Sequence, residues 1–532
     1  MIPIVDIFAG PGGLNEGFSN VLHPVTNKPV FKTAISIEME TSAVKTLTLR
    51  AAYRHLKNSE AGLPQAYIDF LADKITLAAL LSDPRVAEAY KIAQMEVRQF
   101  ELSKESRPES DALIAQALGN NVDDWVLIGG PPCQAYSLAG RSRRTNDVTF
   151  KDDHKHFLYL EYLHIIEKFR PSVFVMENVK GLLSAVNGGN QMFDLIRDDL
   201  TNPAPGLEYE LFSMVDEATG EGLEPASFII KAEEYGVPQK RHRVILVGIR
   251  RDSGYSAPKI LERMEQVSVW DAIGNLPKVR SSVSRTIDPA GHLWADVRRH
   301  SLGLAAGHFP KSDLPKVTGR VLHPISTTSP TNPDEDSISK TSAKVYHEWI
   351  QQEAPEVTLQ HQARGHMVKD LERYFLLASL APSLDRSPKV RDLPREFWPL
   401  HKNVDSATMP FEDRFRVQVW NRPSTTIVSH IAKDGHYYIH PDPEQMRSFT
   451  VREAARLQTF PDNYYFCGNR TQQFTQVGNA VPPLLAFQIG QSISDLMREP
   501  ANAKPVALGV ASNAIPSPAA DSRNSSSTNS AS

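Results

Sequence analysis

The chain has 532 residues, of which 41% are hydrophobic, with two cysteines and a formal net charge of −4. That length exceeds one ordinary domain, two cysteines exclude a disulfide framework and suit a reducing compartment, and the charge excludes a generally basic protein, so any nucleic-acid surface must come from local clusters. No uninterrupted apolar run reaches membrane-spanning length and no basic region precedes the apolar start Ile2-Pro3-Ile4-Val5, so the chain reads as cytoplasmic, without signal peptide or membrane anchor.

In chain order, Ile4-Val5-Asp6-Ile7-Phe8 reads as a strand, Ala9 to Gly13 as a glycine-rich turn, and Leu14 onward as a helix start. A second strand, Thr33-Ala34-Ile35-Ser36-Ile37, ends at Glu38. Residues 41–123 interleave Glu and Lys among Ala, Leu and Ile, and predict a mainly helical insertion between two sheet strands. The sheet resumes with Trp125-Val126-Leu127-Ile128 and with Val173-Phe174-Val175-Met176, which ends at Glu177. Phe228-Ile229-Ile230 and Val244 to Ile249 are close enough in sequence to pair as an antiparallel hairpin. Strands alternating with helices predict an α/β fold with a doubly wound, mostly parallel sheet.

Between about residues 251 and 420 periodicity weakens and prolines and serines multiply, which predicts a smaller irregular lobe with one clear helix, Asp370 to Leu380. Thr450-Val451-Arg452-Glu453 has the pattern of a capping box opening a helix through Leu457. Beyond residue 499 the composition turns to Ala, Ser, Pro and Asn, as in a disordered tail.

In a doubly wound sheet, ligands bind at the carboxyl edge of the strands. The glycine turn follows Phe8, Glu38 follows Ile37, Cys133 follows Ile128 and Glu177 follows Met176. Gln239-Lys240-Arg241-His242-Arg243 precedes an antiparallel strand, so its amino end falls on the same edge. Gly129-Gly130-Pro131-Pro132-Cys133 is a stiff turn that sets the direction of the thiol as a presented nucleophile; a thiol that merely packs is the alternative. The turn Phe8-Ala9-Gly10-Pro11-Gly12-Gly13 lacks the Gly-Lys-Ser/Thr ending of a phosphate clamp, and Glu38 is placed to accept hydrogen bonds from a ribose diol. A nucleoside cofactor without phosphate, such as S-adenosylmethionine, fits these features.

Phe8-Ala9-Gly10-Pro11-Gly12-Gly13, Gly130-Pro131-Pro132-Cys133-Gln134, Glu177-Asn178-Val179, Gln239-Lys240-Arg241-His242-Arg243 and Gln476-Val477-Gly478-Asn479-Ala480-Val481-Pro482-Pro483, in this order, resemble the motifs of DNA (cytosine-5)-methyltransferases. The resemblance covers about residues 1–250 and 420–495. It implies a Rossmann-like S-adenosylmethionine-dependent catalytic domain over residues 1–250, a target-recognition domain over 251–420, and a return to the catalytic domain over 421–498. It also implies catalysis without a metal.

Carbon 5 of cytosine is a weak nucleophile, so in this family a thiolate first adds to carbon 6. Cys133 matches that thiolate. Glu177 matches the carboxyl group that binds the ring nitrogen 3 edge and the exocyclic amine and handles the proton there. Arg243 resembles the arginine that contacts the base carbonyl, and Arg241 its neighbour on the loop and backbone phosphate. Phe8, Gly10, Gly12, Gly13, Leu14, Glu38, Met39 and Pro131, with Asn479 and Val481 from the last motif, match the cofactor pocket. An Asp that reads the adenine is blurred by the insertion; Asp69 is the choice and Asp73 the second. The substrate implied is double-stranded DNA with the cytosine flipped out of the helix. Gln134, Ser137, Arg141, Arg143 and Arg144 fall in the loop that closes over it, with the arginines suited to phosphate.

In the recognition region, Gln362-Ala363-Arg364-Gly365-His366 and His401-Lys402-Asn403 carry side chains able to contact bases or phosphates. The partners implied are a restriction endonuclease or defence-system proteins, and the enzyme is expected to act as a monomer on DNA, associated with the nucleoid. An RNA (tRNA) cytosine methyltransferase and a non-catalytic DNA-binding protein on the same scaffold are the other readings.

Overall fold

The computed structural model describes residues 1–119, 123–132, 158–184, 186–187, 190–218, 223–309, 343–399 and 412–498. In the first half, β1 (Ile2–Ile7), α1 (Gly13–Ser19) and β2 (Phe31–Glu38) are followed by α2 (Thr41–Lys57), α3 (Gln65–Leu71), α4 (Leu77–Leu80), α5 (Pro84–Glu96), β3 (Val97–Gln99) and α6 (Arg107–Leu118). Next come β4 (Val126–Gly129), α7 (Leu158–Phe169), β5 (Val173–Val179), α8 (Met192–Thr201), β6 (Tyr209–Phe212), β7 (Ile229–Lys231), β8 (Gln239–Lys240) and β9 (His242–Arg250). The main sheet runs β3-β2-β1-β4-β5-β9-β6, and β7 also pairs with β9.

The pairs among β1 to β5 are parallel, whereas β9 is antiparallel to β5, β6 and β7. This is the mixed α/β, mostly parallel sheet that the sequence predicts, with the amino end of β9 on the carboxyl edge of β5. Alternation explains the apolar run of β4. Val126 and Ile128 pack on one face with Leu14 and Phe18 of α1, while Leu127 packs on the other with Tyr162, Ile165 and Ile166 of α7. A strand covered on both faces has no solvent side on which to place polar residues.

The insertion differs from expectation in one respect, since β3 lies within it and pairs in parallel with β2, Gln99 opposite Glu38. This three-residue strand follows α5 with no intervening turn residue, so helical periodicity conceals it. The insertion is therefore also the crossover to the sheet's edge strand.

In the second half, α9 (Val269–Ile273), α10 (His292–His308), α11 (Lys344–Ile350) and α12 (Val368–Leu384) precede β10 (Ser424–Thr425), α13 (Val451–Leu457), α14 (Arg470–Asn479) and α15 (Pro483–Arg498). Helix α12 extends the predicted segment at both ends, and α13 opens with the capping box formed by Thr450 and Glu453. Packing divides the region expected as one lobe. Trp294, Leu371, Phe375 and Phe397 belong to one core, whereas Val269, Ile273, Tyr346 and Trp349 share a core with Phe449, Leu457 and Phe474 of the return. Helix α15 lies against α1, where a Cβ on Gly17 would collide with the backbone of Ala486 and Phe487. The predicted tail, 499–532, lies outside the described residues.

Candidate active site

β2 and β4 flank β1 on opposite sides, so the turn after β1 stands at the switch point of the sheet. Gly10 and Gly12 adopt left-handed φ values of 55° and 90°, and Phe8 sits at 54°. A Cβ on Gly10 would meet nothing within 4 Å, which leaves open space beside the turn. Gly13, at the start of α1, abuts the Val481 carbonyl so closely that a Cβ there would collide with it.

The Glu38 carboxylate accepts from the Gly10 amide at 2.8 Å through Oε2, and from the Met39 and Glu40 amides at 3.0 and 2.9 Å through Oε1. These three amides fix its direction at the sheet edge, and a carboxylate has further lone pairs for a diol. Leu14 is buried beneath the turn and Met39 is exposed at its rim. The open space, the fixed carboxylate and the glycine backbone fit a nucleoside cofactor.

Asp69 lies on α3. Its partners are Gln65, whose Nε2 donates at 3.0 Å, and Lys74, 3.8 Å away. Asp73 lies just beyond α3 in a left-handed conformation. The residues ending β3 lie beside Glu38: the Phe100 amide donates to the Glu38 carbonyl at 3.0 Å, and Gln99 Nε2 donates to Thr41 Oγ1 at 2.8 Å. Sequence reasoning passed over both because it passed over β3; the β-branched Val97 directly after Glu96 is the faint signal for a strand there.

Across the sheet, Glu177 is opposite Ile245 in the β5–β9 ladder, so Arg243, two residues before Ile245, is its diagonal neighbour on the same face. Arg243 Nε lies 2.9 Å from Glu177 Oε1, both side chains about 14% exposed. The Nε hydrogen is not aimed along this contact, so it is a charge contact rather than a hydrogen bond, while Arg243 Nη1 donates to the His242 carbonyl at 2.9 Å. A Cβ on Gly130 would come 2.9 Å from Glu177 Oε2, so the glycine lets the turn after β4 close on this carboxylate. Asn178 Nδ2 donates to the Pro131 carbonyl at 3.3 Å, and Pro131 is buried. The turn that leads to Cys133 is thereby fixed to the strand that carries Glu177.

Arg241 departs from its predicted place on a DNA phosphate. It is 2% exposed, and its Nη1 donates to the carbonyls of Ile427 at 2.9 Å and Gly478 at 3.4 Å. Burial, then the nearby Arg243 charge, holds its guanidinium well below the ordinary arginine value. In this position it clamps the backbone of the return to β9. Asn479 follows as an exposed residue, and Val481 is buried against the turn.

Arg364 and His366 are likewise buried, with Arg364 Nη2 donating to the Ile431 carbonyl at 2.8 Å and His366 Nε2 paired with Ser448 Oγ at 3.1 Å. Cys133, Gln134, Ser137, Arg141, Arg143, Arg144 and His401-Lys402-Asn403 lie outside the described residues. Among the described residues no cluster of His, Cys, Asp and Glu is placed to hold a metal, and no helix is long and apolar enough to cross a membrane.

A family model described as C-5 cytosine-specific DNA methylase matches residues 76–495. The type II methyltransferase M.Bpa9945I of Bacillus paralicheniformis is 33% identical over 512 residues, covering 93% of this chain and 99% of that protein. The DNA (cytosine-5-)-methyltransferase M.ApeKI of Aeropyrum pernix is 24% identical, over 71% of this chain and 82% of its own. Among solved structures, an Escherichia coli prophage protein assigned as a DNA modification methyltransferase shares the fold with a TM-score of 0.54 at 18% identity, covering 94% of this chain and all of its own. The match over most of the chain, together with a near full-length relative, establishes that this protein belongs to the C-5 cytosine-specific DNA methylase family.

Proposed function

We propose that the chain methylates carbon 5 of cytosine in a specific duplex DNA sequence, through a covalent adduct of Cys133 with a flipped-out base. The observation that carries this reading is the Glu177–Arg243 contact at 2.9 Å, on the sheet edge that the turn toward Cys133 approaches. The Cys133 thiolate adds to carbon 6, pushing electron density toward carbon 5. Glu177 holds the nitrogen 3 edge and the exocyclic amine and manages the proton there, and Arg243 steadies both Glu177 and the base carbonyl. The glycine turn and the Glu38 carboxylate fixed against it would hold S-adenosylmethionine, which would supply the methyl group. Loss of the carbon 5 proton then lets the thiol leave.

Gln134, Ser137, Arg141, Arg143 and Arg144 are assigned to closing over the flipped base and contacting the DNA backbone. Relatives named as type II methyltransferases support a role beside a restriction endonuclease or a defence system, and the protein is further assigned to act as a monomer on DNA in the bacterial cytoplasm.

The test is transfer of label from S-adenosylmethionine to duplex DNA, together with a stable protein–DNA complex on 5-fluorocytosine DNA. Wild-type turnover in Cys133→Ala would overturn the covalent route, and bisulfite sequencing of DNA from expressing cells would identify the target sequence.

A further inference from the structure

The glycine turn after β1 has a second wall, contributed by the far end of the chain. The Tyr464 hydroxyl donates to the Pro11 carbonyl, and a Cβ on Gly12 would lie 3.3 Å from the tyrosine oxygen. Tyr464 is 1% exposed, so the Pro11 carbonyl has no ready exchange with bulk water at this point.

The ring is in turn held by Arg50 of α2, whose guanidinium carbon lies 4.8 Å from the Tyr464 ring centroid and 4.2 Å from that of Tyr53. Arg50 Nε and Nη2 donate to Glu16 of α1 at 2.8 and 2.5 Å, and Nη1 donates to Asn463 Oδ1 at 3.0 Å. A buried guanidinium fixed on two sides and stacked on two rings leaves the tyrosine little freedom. Two left-handed glycines make the turn costly to order, and one hydroxyl on its central carbonyl removes part of that cost before any ligand arrives.

We propose that Tyr464 is a positioning residue for S-adenosylmethionine, acting through the Pro11 carbonyl, with Arg50 as its support. The proposal rests on the cofactor role assigned above to the glycine turn.

Its test compares Tyr464→Phe with Tyr53→Phe, which stacks on the same guanidinium without touching the turn. The KM for S-adenosylmethionine, kcat and the calorimetric Kd of the cofactor are measured on the full chain. Loss of one buried hydrogen bond predicts a KM and Kd raised roughly five- to tenfold in Tyr464→Phe, with kcat within about twofold. Both constants stay within about twofold in Tyr53→Phe.

Unchanged cofactor affinity in Tyr464→Phe, an equal rise in Tyr53→Phe, or a fall in kcat alone would overturn the proposal. If Tyr464→Phe does not fold, Arg50→Lys, which keeps the charge toward Glu16 but loses the planar stack, must give the same rise in KM. A wild-type protein that binds no S-adenosylmethionine would overturn the cofactor reading as well, whereas normal wild-type binding with an unshifted Tyr464→Phe would overturn this inference alone.

Discussion

The sheet edge and helix α13 both carry charge, yet they treat it in opposite ways. At the edge, Glu38 is fixed by three amides and Glu177 by its contact with Arg243, and each keeps part of its surface open. Around α13 the charges are enclosed. Arg447 is bidentate to Glu453 at 2.7 and 2.6 Å, and Arg456 to Asp462 at 2.9 and 2.6 Å. Arg452 donates to the carbonyls of Leu359, Pro461 and Tyr464 at 3.0, 3.0 and 2.7 Å. A run of arginines in a DNA-modifying enzyme invites assignment to phosphate, but these three also donate to the carbonyls of Val279, Leu359 and Ala272 and so tie residues 251–420 to the return. The partner, not the residue type, decides between chemistry and architecture.

Four experiments would break or sharpen that contrast. The largest effect is expected for Glu177→Gln, which should lower turnover about 10²- to 10⁴-fold while moving the melting temperature by no more than about 2 °C. A large loss of stability in that variant would place Glu177 with the enclosed charges. Arg456→Met should do the reverse: Asp462 keeps a buried charge without its bidentate partner, at a cost of about 3–5 kcal/mol in urea unfolding. Normal stability combined with weakened DNA binding would move Arg456 to the other class.

Asp6 is intermediate in size and depends on pH. Its carboxyl is fully buried near the end of β1, and burial, opposed in part by the neighbouring Asn15 and Ser36 side chains, pushes it up to about 8. The folded chain therefore holds a proton that the unfolded chain releases above about pH 4. Stability is lost progressively as pH rises from there to about 8, because the native state binds more protons over that window. Asp6→Asn removes this dependence, so its unfolding free energy should exceed that of the wild type by several kcal/mol at pH 8.5 and lose the margin progressively toward about pH 4. A margin that does not change with pH would show that Asp6 ionises freely.

The smallest effect belongs to Arg422→Ala, which removes an exposed ion pair with Asp385 at 2.6 Å. It should change stability by less than about 1 kcal/mol.

The sheet edge was legible in the sequence because strand ends announce themselves. Apolar runs stop at Glu38, at Gly129 and at Glu177, and the parallel rule sends those ends to one side. The pairing of Glu177 with Arg243 follows from the antiparallel sense of β9, which the short spacing after Ile230 already suggested. The burial of Arg241 was not legible, since its partners Ile427 and Gly478 lie 186 and 237 residues away and offer only backbone carbonyls. Nor was the place beside Glu38, because three residues of strand directly after a helix leave no break in periodicity. Nor was the burial of Arg452 in α13, whose partner Leu359 lies 93 residues away and offers only a backbone carbonyl.

The abutment of Gly13 against the Val481 carbonyl also bears on synthesis. A chain emerging from the ribosome completes β1, the glycine turn and α1 first, but lacks their opposite wall until residue 481, just before α15, has been made. Closure over more than 450 residues is a late event in folding, since so long a loop must collapse before its contact is formed. On the proposed cofactor site, a nascent chain would lack one wall of the pocket, and truncation before residue 481 should leave the glycine turn open on that side.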